Sequence, residues 1–147
     1  MNISPVHGGL DAPVNRLNSS LEESSFAGLA SISVNEVDAT SLYRIADGTL
    51  SPLTGPMGAA DYASVLSRKA IERDGKLWAW TIPVILPVTD EEAAAIEAGA
   101  NVCLRAGGEA FGTLTVDSIY DWDKAAFIEA VYGTDRTDHP GARLWTS

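Results

Sequence analysis

A chain of 147 residues with 46% apolar and 20% charged side chains is long enough for one domain with a real core, and its composition argues against disorder. Ten basic against 20 acidic side chains leave a net charge of −10, which excludes most surfaces suited to a phosphate backbone, so nucleic acid is not an expected partner. No stretch has the apolar length of a membrane span, and a single cysteine, Cys103, rules out an internal disulfide.

The first residues, MNISPVHGGL, lack the basic-then-apolar order of a secretion signal, so the expected location is cytoplasmic. Met1 to about Ser25 reads as loop followed by a short polar helix, with turn formers concentrated in HGGLDAPVNRL (His7–Leu17). Leu29–Val34 alternates apolar and small polar residues, as a short strand does. SVNE (Ser33–Glu36) then reads as a capping box, with Ser33 as the cap and Glu36 reaching back. Val37, Tyr43 and Ile45 give the next helix a partial apolar face, and Gly48 supplies its left-handed stop.

GTLSPLTGPM (Gly48–Met57) is a shaped loop stiffened by two prolines. Tyr62, Val65 and Leu66 resume helical spacing. Arg68, Lys69 and Arg73, the densest basic group, read as helix-borne charges on a solvated face, flanked by Glu72 and Asp74. Asp74-Gly75 is a hairpin signal. After it Trp78, Trp80, Ile82, Val84, Leu86 and Val88 alternate strictly. That predicts one long strand, placed at an edge or bent by Pro83 and Pro87. TDEE (Thr89–Glu92) is a second capping box, opening a helix that ends by Gly99. NVCLRAGGEAFGTLTVDSIY predicts strand, Gly-Gly turn, strand, with Ala110, Gly112, Leu114 and Val116 on one face. Asp121 is placed to cap a last helix, in which Phe127, Ala130 and Val131 share a side and Gly133 makes the stop. The connections are too short for parallel crossovers, so the expected fold is α+β, a mixed or antiparallel sheet curled into a small barrel.

Chemistry is sparse. Cys103 sits in an apolar run with no His or Lys near it, which suits a buried thiol. With only His7 and His139 in the whole chain, no metal-ligand spacing exists. Asp138-His139 has the composition of an acid–base pair, but the following Pro140-Gly141 favours a structural histidine in a turn. Asp90, Glu91 and Glu92 complement a helix dipole. Asp121 and Asp123 flank Trp122 at another helix start. No nucleophile elbow, phosphate loop or dinucleotide fingerprint occurs, and Gly107-Gly108 is a hairpin turn. The residues alone therefore give an acidic mixed α/β domain with two stiff loops.

PVHGGLDAPVNRL, GTLSPLTGPMGAADYASVL, DGKLWAWTIPVILPVT, SIYDWDKAAFIEAVYGT and DRTDHPG occur in one order that resembles the amino-terminal PUA-like domain of ATP sulfurylase (sulfate adenylyltransferase). The likeness runs from about His7 to Leu144, with NSSLEESSFAGLA as the poorest match. It implies one domain over residues 1–147, a small mixed or antiparallel β pseudo-barrel with peripheral helices, and no catalytic domain. The family enzyme joins ATP and sulfate to give adenylyl sulfate and pyrophosphate. Its nucleotide and sulfate sites belong to the following catalytic domain, which carries a Gln-x-Arg-Asn-Pro segment and a pair of histidines. This chain has no glutamine and no Arg-Asn-Pro, so the resemblance implies no catalytic residue, no cofactor, no metal site and no activity by the chain alone.

In the family, HPG marks the passage toward the catalytic domain. That places His139, Pro140 and Gly141 at an exit, braced by Arg136 and Asp138. The expected partner is an ATP sulfurylase catalytic domain, in cis or in trans, met through His7, Gly8, Gly9, Arg16, Ser51, Pro52, Leu53, Gly55, Arg136 and His139. An orphaned docking face would also favour self-association. The alternative is a free-standing module for a small anion or a protein, with Arg16, Arg136 and His139 as its anion ligands. A complete sulfurylase is disfavoured by the missing motif.

Overall fold

The strand Asn101–Ala106 (β4) has partners on both edges. Val102 and Cys103 have no exposed surface, and Leu104 has 4%. In this computed structural model, which describes residues 6–146, β4 pairs in parallel with Ala30–Ser33 (β1). Its other edge pairs antiparallel with Glu109–Thr115 (β5). The Gly107-Gly108 turn has both residues at positive φ, 58° and 87°, as a tight hairpin requires. The register shifts after Leu104↔Gly112 to Arg105↔Ala110, leaving Phe111 as an extra residue. The bulge therefore breaks the simple alternation expected for β5 and lets Phe111 join Leu114 on the core.

The parallel pair corrects the expectation drawn from short connections. Its crossover is not a single helix but nearly half of the chain, residues 34–100. It contains Glu36–Ala46 (α1), Ala59–Arg68 (α2), the hairpin Ala70–Arg73 (β2) with Lys76–Ala79 (β3), and Asp90–Ala94 (α3). Asp74 and Gly75 turn the β2–β3 hairpin at φ 51° and 72°. The fold is α+β with a three-stranded and a two-stranded sheet, and the described strands do not close into a barrel.

The long strand expected over Trp78–Val88 ends early. Its ladder stops at Ala79, followed by one more bond from Trp80 N–H to Lys69 O. Pro83 and Pro87 cannot donate, and the chain between them runs without a strand partner. Alternation fails with it: Ile82 is 54% exposed while Pro83 is buried. This extended segment ties two apolar clusters together. Trp78, Trp80, Val84 and Ile85 pack on Ile45, Leu53, Met57, Val65 and Ile71, whereas Leu86 and Val88 pack on Ile32, Val34, Val102, Leu104 and Val116.

A third cluster joins Tyr62, Phe127, Ile128 and Ala142. It holds Lys124–Tyr132 (α4) and a helix the sequence reading did not anticipate, Pro140–Thr146 (α5). Trp122, Phe127 and Trp145 meet edge to face here, with centroids 5.1–5.6 Å apart.

Two caps differ from expectation. Ser33 remains in β1 opposite Arg105, and Asn35 caps α1 instead, accepting from Asp38 N–H at 2.8 Å. Asp123, not Asp121, caps α4 through Ala126 N–H at 3.0 Å. On α1 the buried face is Ala39 and Ile45, while Val37 and Tyr43 point outward. The basic group also reads differently. Arg73 stands on β2 and pairs with Asp61, Arg68 reaches Ser64 and Glu72, and Lys69 caps α2 in a left-handed conformation while donating to Ala130 O. Residues 1–5, with the reading of the leader as non-secretory, and Ser147 lie outside the described residues.

The expected Thr89–Glu92 capping box is present, and it does more than close a helix end. Glu92 Oε2 accepts from Thr89 N–H at 3.0 Å, and Oε1 accepts from Ser33 N–H at 2.9 Å, fastening α3 to β1. Partial burial opposes the charge of Glu92, but these donors outweigh it and hold the carboxyl below 4.5. Its contribution is thus full above that value and is lost as pH falls through the lower folded value. Glu92→Gln should cost about 1 kcal/mol at neutral pH, with the gap to the parent protein narrowing on acidification. Urea melts at pH 7 and pH 3 measure it, and a gap independent of pH would contradict the charged role.

Candidate functional site

Of the residues singled out near the amino terminus, Gly8 is buried and His7 half-buried, while Gly9 and Arg16 are exposed; their contacts are nonetheless made within the chain. Ser51 is buried, donating its hydroxyl to Gly48 O at 2.6 Å and accepting from Val14 N–H at 2.9 Å. Arg16 N–H reaches Ala46 O at 2.8 Å. Gly48 allows this approach: at φ 86°, a β-carbon would fall 2.2 Å from Val14 O. Gly8 lies against Pro52, where a β-carbon would stand 2.4 Å from Pro52 Cγ. Gly9 sits against the ring of Trp78. His7 Nε2 donates to Ala79 O at 2.9 Å, with its ring 5.4 Å from that of Trp78. Leu53 is only 2% exposed, and Gly55 lies beside Leu114. The HGG and SPL segments thus bind one another and the β2–β3 hairpin, and their polar groups are largely satisfied within the chain.

Arg136 and His139 occupy a separate hollow with Tyr132, Thr134, Asp138 and Pro140, of about 410 Å³. The Arg136 guanidinium forks onto Asp138 at 2.8 and 2.5 Å, and this pairing holds the Asp138 carboxyl below its usual range. His139 Nδ1 accepts from Gly141 N–H at 3.2 Å, and its ring lies 5.0 Å from that of Tyr132. His139 therefore stands at the start of a helix, with Pro140 as the first residue of α5, where a missing N–H costs nothing. His139 is thus a structural histidine in a turn, as expected, and that turn leads directly into α5. An anion here would have to displace Asp138 from Arg136.

Arg16 belongs elsewhere. With Leu53 and Gly55 it borders a groove of about 1200 Å³, most of whose lining was not among the expected site residues. The apolar lining includes Leu42, Leu86, Phe111 and Leu114, with Leu17, Tyr43 and Ile119 exposed by 60%, 51% and 44%. Tyr43 stacks on Phe111 with centroids 5.5 Å apart. Asp90, Asp117, Asp121 and Lys124 add charge to the rim, as does Asp61, forked onto Arg73 at 2.9 and 2.6 Å. The groove escaped notice because its walls come from segments far apart in sequence. The outward Tyr43 was its one local trace.

Tyr120, also in the groove, donates its hydroxyl to Met57 O at 2.7 Å. Burial first, then the charges of Tyr62 and Asp61, push it up to about 12, so it is a fixed donor at neutral pH and not a base. Among the described residues no group of three or more His, Cys, Asp or Glu could hold a metal ion. Among the same described residues no helix is long and apolar enough to cross a membrane. The groove offers apolar contact and charge, not a paired nucleophile and base.

A family model described as a PUA-like domain matches residues 4–147. A sulfate adenylyltransferase of Pyropia yezoensis is 65% identical over 145 residues, 98% of this chain and 34% of the relative. Those of Cenarchaeum symbiosum and Deinococcus radiodurans are 37% and 34% identical over 95% and 94% of this chain, and 35% and 34% of their own lengths. The chain spans about a third of the length of the curated relatives it matches.

The close contact of Gly8 with Pro52 gives a direct test of the inward role. Gly8→Ala should loosen the His7–Arg16 arm and cost at least about 1 kcal/mol, since it meets both a clash and a positive φ. Hydrogen exchange should show the Val14 and Arg16 amides losing protection, while those of β4 keep theirs. Unchanged exchange at both would refute the brace.

Proposed function

The chain belongs to the PUA-like domain family, and on that premise we propose that it is the non-catalytic domain of a sulfate adenylyltransferase, docked on a catalytic region in the same polypeptide or in another. The setting is sulfate activation for assimilation, in the cytoplasm. One observation carries the reading: the likeness to the Pyropia yezoensis enzyme fills 98% of this chain and only 34% of that enzyme. A division of labour follows, with chemistry in the unmatched two thirds and support in this domain. The absence of glutamine, and with it of the family's Gln-x-Arg-Asn-Pro segment, fits that division.

The free-standing anion module is the weaker reading. Its three ligands lie in two places, Arg16 on the groove and Arg136 with His139 in the smaller hollow, and Arg136 already holds a carboxylate.

Two measurements test the proposal. Given adenylyl sulfate and pyrophosphate, the 147-residue chain alone should form no ATP above the blank, and turnover would overturn the non-catalytic role. Native mass spectrometry of the protein from its source cells should find it with a sulfate adenylyltransferase catalytic region, covalently continuous or bound. A chain that occurs without one would overturn the docking role.

A further inference from the structure

We propose that the apolar groove between Leu17, Tyr43, Phe111 and Ile119 is the docking face, and that the catalytic region seats there an apolar ridge flanked by Lys or Arg. The inference rests on the docking reading above and moves its centre from the HGG and HPG segments to a groove lined by Arg16, Leu53 and Gly55 together with residues of α1, β5 and the loop after it. The HGG and SPL loops are turned into the molecule, where Ser51 and Leu53 are buried and Gly8 is pressed on Pro52. Apart from the exposed Gly9, and from Leu53 and Gly55 where they line the groove, they leave little for a partner to hold. The groove is the converse: three large apolar side chains, exposed by 44–60%, converge on one concavity. Leu77, Ile82 and Val37, equally exposed, are not part of it. Apolar surface gathered in one place and bordered by charge is the usual form of a protein contact site.

Charge selects the occupant. Arg73 is neutralised by Asp61, Lys124 lies 5.4 Å from the Trp122 ring, and Arg16 is the one exposed arginine on the rim that makes no ion pair among the described residues, against three such aspartates. Asp90, Asp117 and Asp121 are exposed and make no ion pair among the described residues. They stand on a chain of net charge −10. A second copy would bring the same excess of carboxylates to the contact, whereas a basic ridge would satisfy it. About two thirds of each relative lies outside the matched region, which is the length of chain from which such a partner would come.

Zero-length carbodiimide coupling reads this arrangement in the polypeptide or complex that occurs in the source cells. It should join Asp117, Asp121 or Asp90 to lysines of sulfate adenylyltransferase sequence outside these 147 residues. Tyr43→Asp, at a half-exposed position, should leave the fold intact by circular dichroism and lower the coupling yield about ten-fold. Leu77→Ser should leave the yield unchanged. Coupling to that sequence only from carboxylates away from the groove, or a yield insensitive to Tyr43→Asp, would overturn the groove while leaving docking in place. Coupling to a second copy of this chain would overturn it in favour of self-association. No coupling to sulfate adenylyltransferase sequence from any face, together with native mass spectra that show no such region, would remove the docking reading and the groove with it.

Discussion

The double pairing of β4 is the constraint on which the rest of the structure depends. This strand has partners on both edges, and the consecutive side chains Val102, Cys103 and Leu104 are all sealed from solvent, so both of its faces are covered and it is the central strand of the sheet. β1 is held in parallel, so the chain must travel from one end of the sheet to the other before β4 is laid down. α1, α2, the β2–β3 hairpin and α3 are that journey. Glu92, bonded to Ser33 and Thr89 at once, secures its last step to its first.

The stiff loops follow from the same geometry. A long crossover needs internal ties, and Ser51 with Gly8, Gly48 and Pro52 supplies them where the amino-terminal arm passes over the loop after α1. A motif that looks like a ligand loop in sequence, rich in Gly, Pro and Ser, is here a packing joint. Both uses need glycine for close backbone approach, so residue type alone cannot separate them. The same holds for His139, whose ring nitrogen accepts from Gly141 at the start of α5 and whose neighbour Arg136 is occupied by Asp138.

The groove is what the ties leave open. It lies where the extended Leu86–Asp90 segment, β5 and the loop after it, α1 and the amino-terminal arm approach without closing. A closed barrel would have filled this space with side chains; two small sheets joined by a proline-interrupted segment do not. An incomplete barrel with an apolar opening is a reasonable shape for a domain whose relatives are about three times its length. The −10 charge sets the sign of the chemistry that can cover it.

Local signals in the sequence determined the local structure. Asp74-Gly75 and Gly107-Gly108 specify their hairpins because few other residues tolerate consecutive positive φ angles, Thr89–Glu92 specifies a capped helix, and Gly48 and Gly133 specify helix stops. The ordered motifs also pointed to the PUA-like family. Tertiary contacts decided what local rules left degenerate. Pairing of Ser33 in β1 left the capping of α1 to Asn35, and α4 starts so that Asp123, not Asp121, is its cap. Alternation from Trp78 to Val88 described a strand, but a strand needs a neighbour, and the prolines denied it one beyond the hairpin. The groove could be found only in three dimensions, because its walls are distant in sequence and proximity of that kind is set by the crossover around β4, not by any stretch of residues.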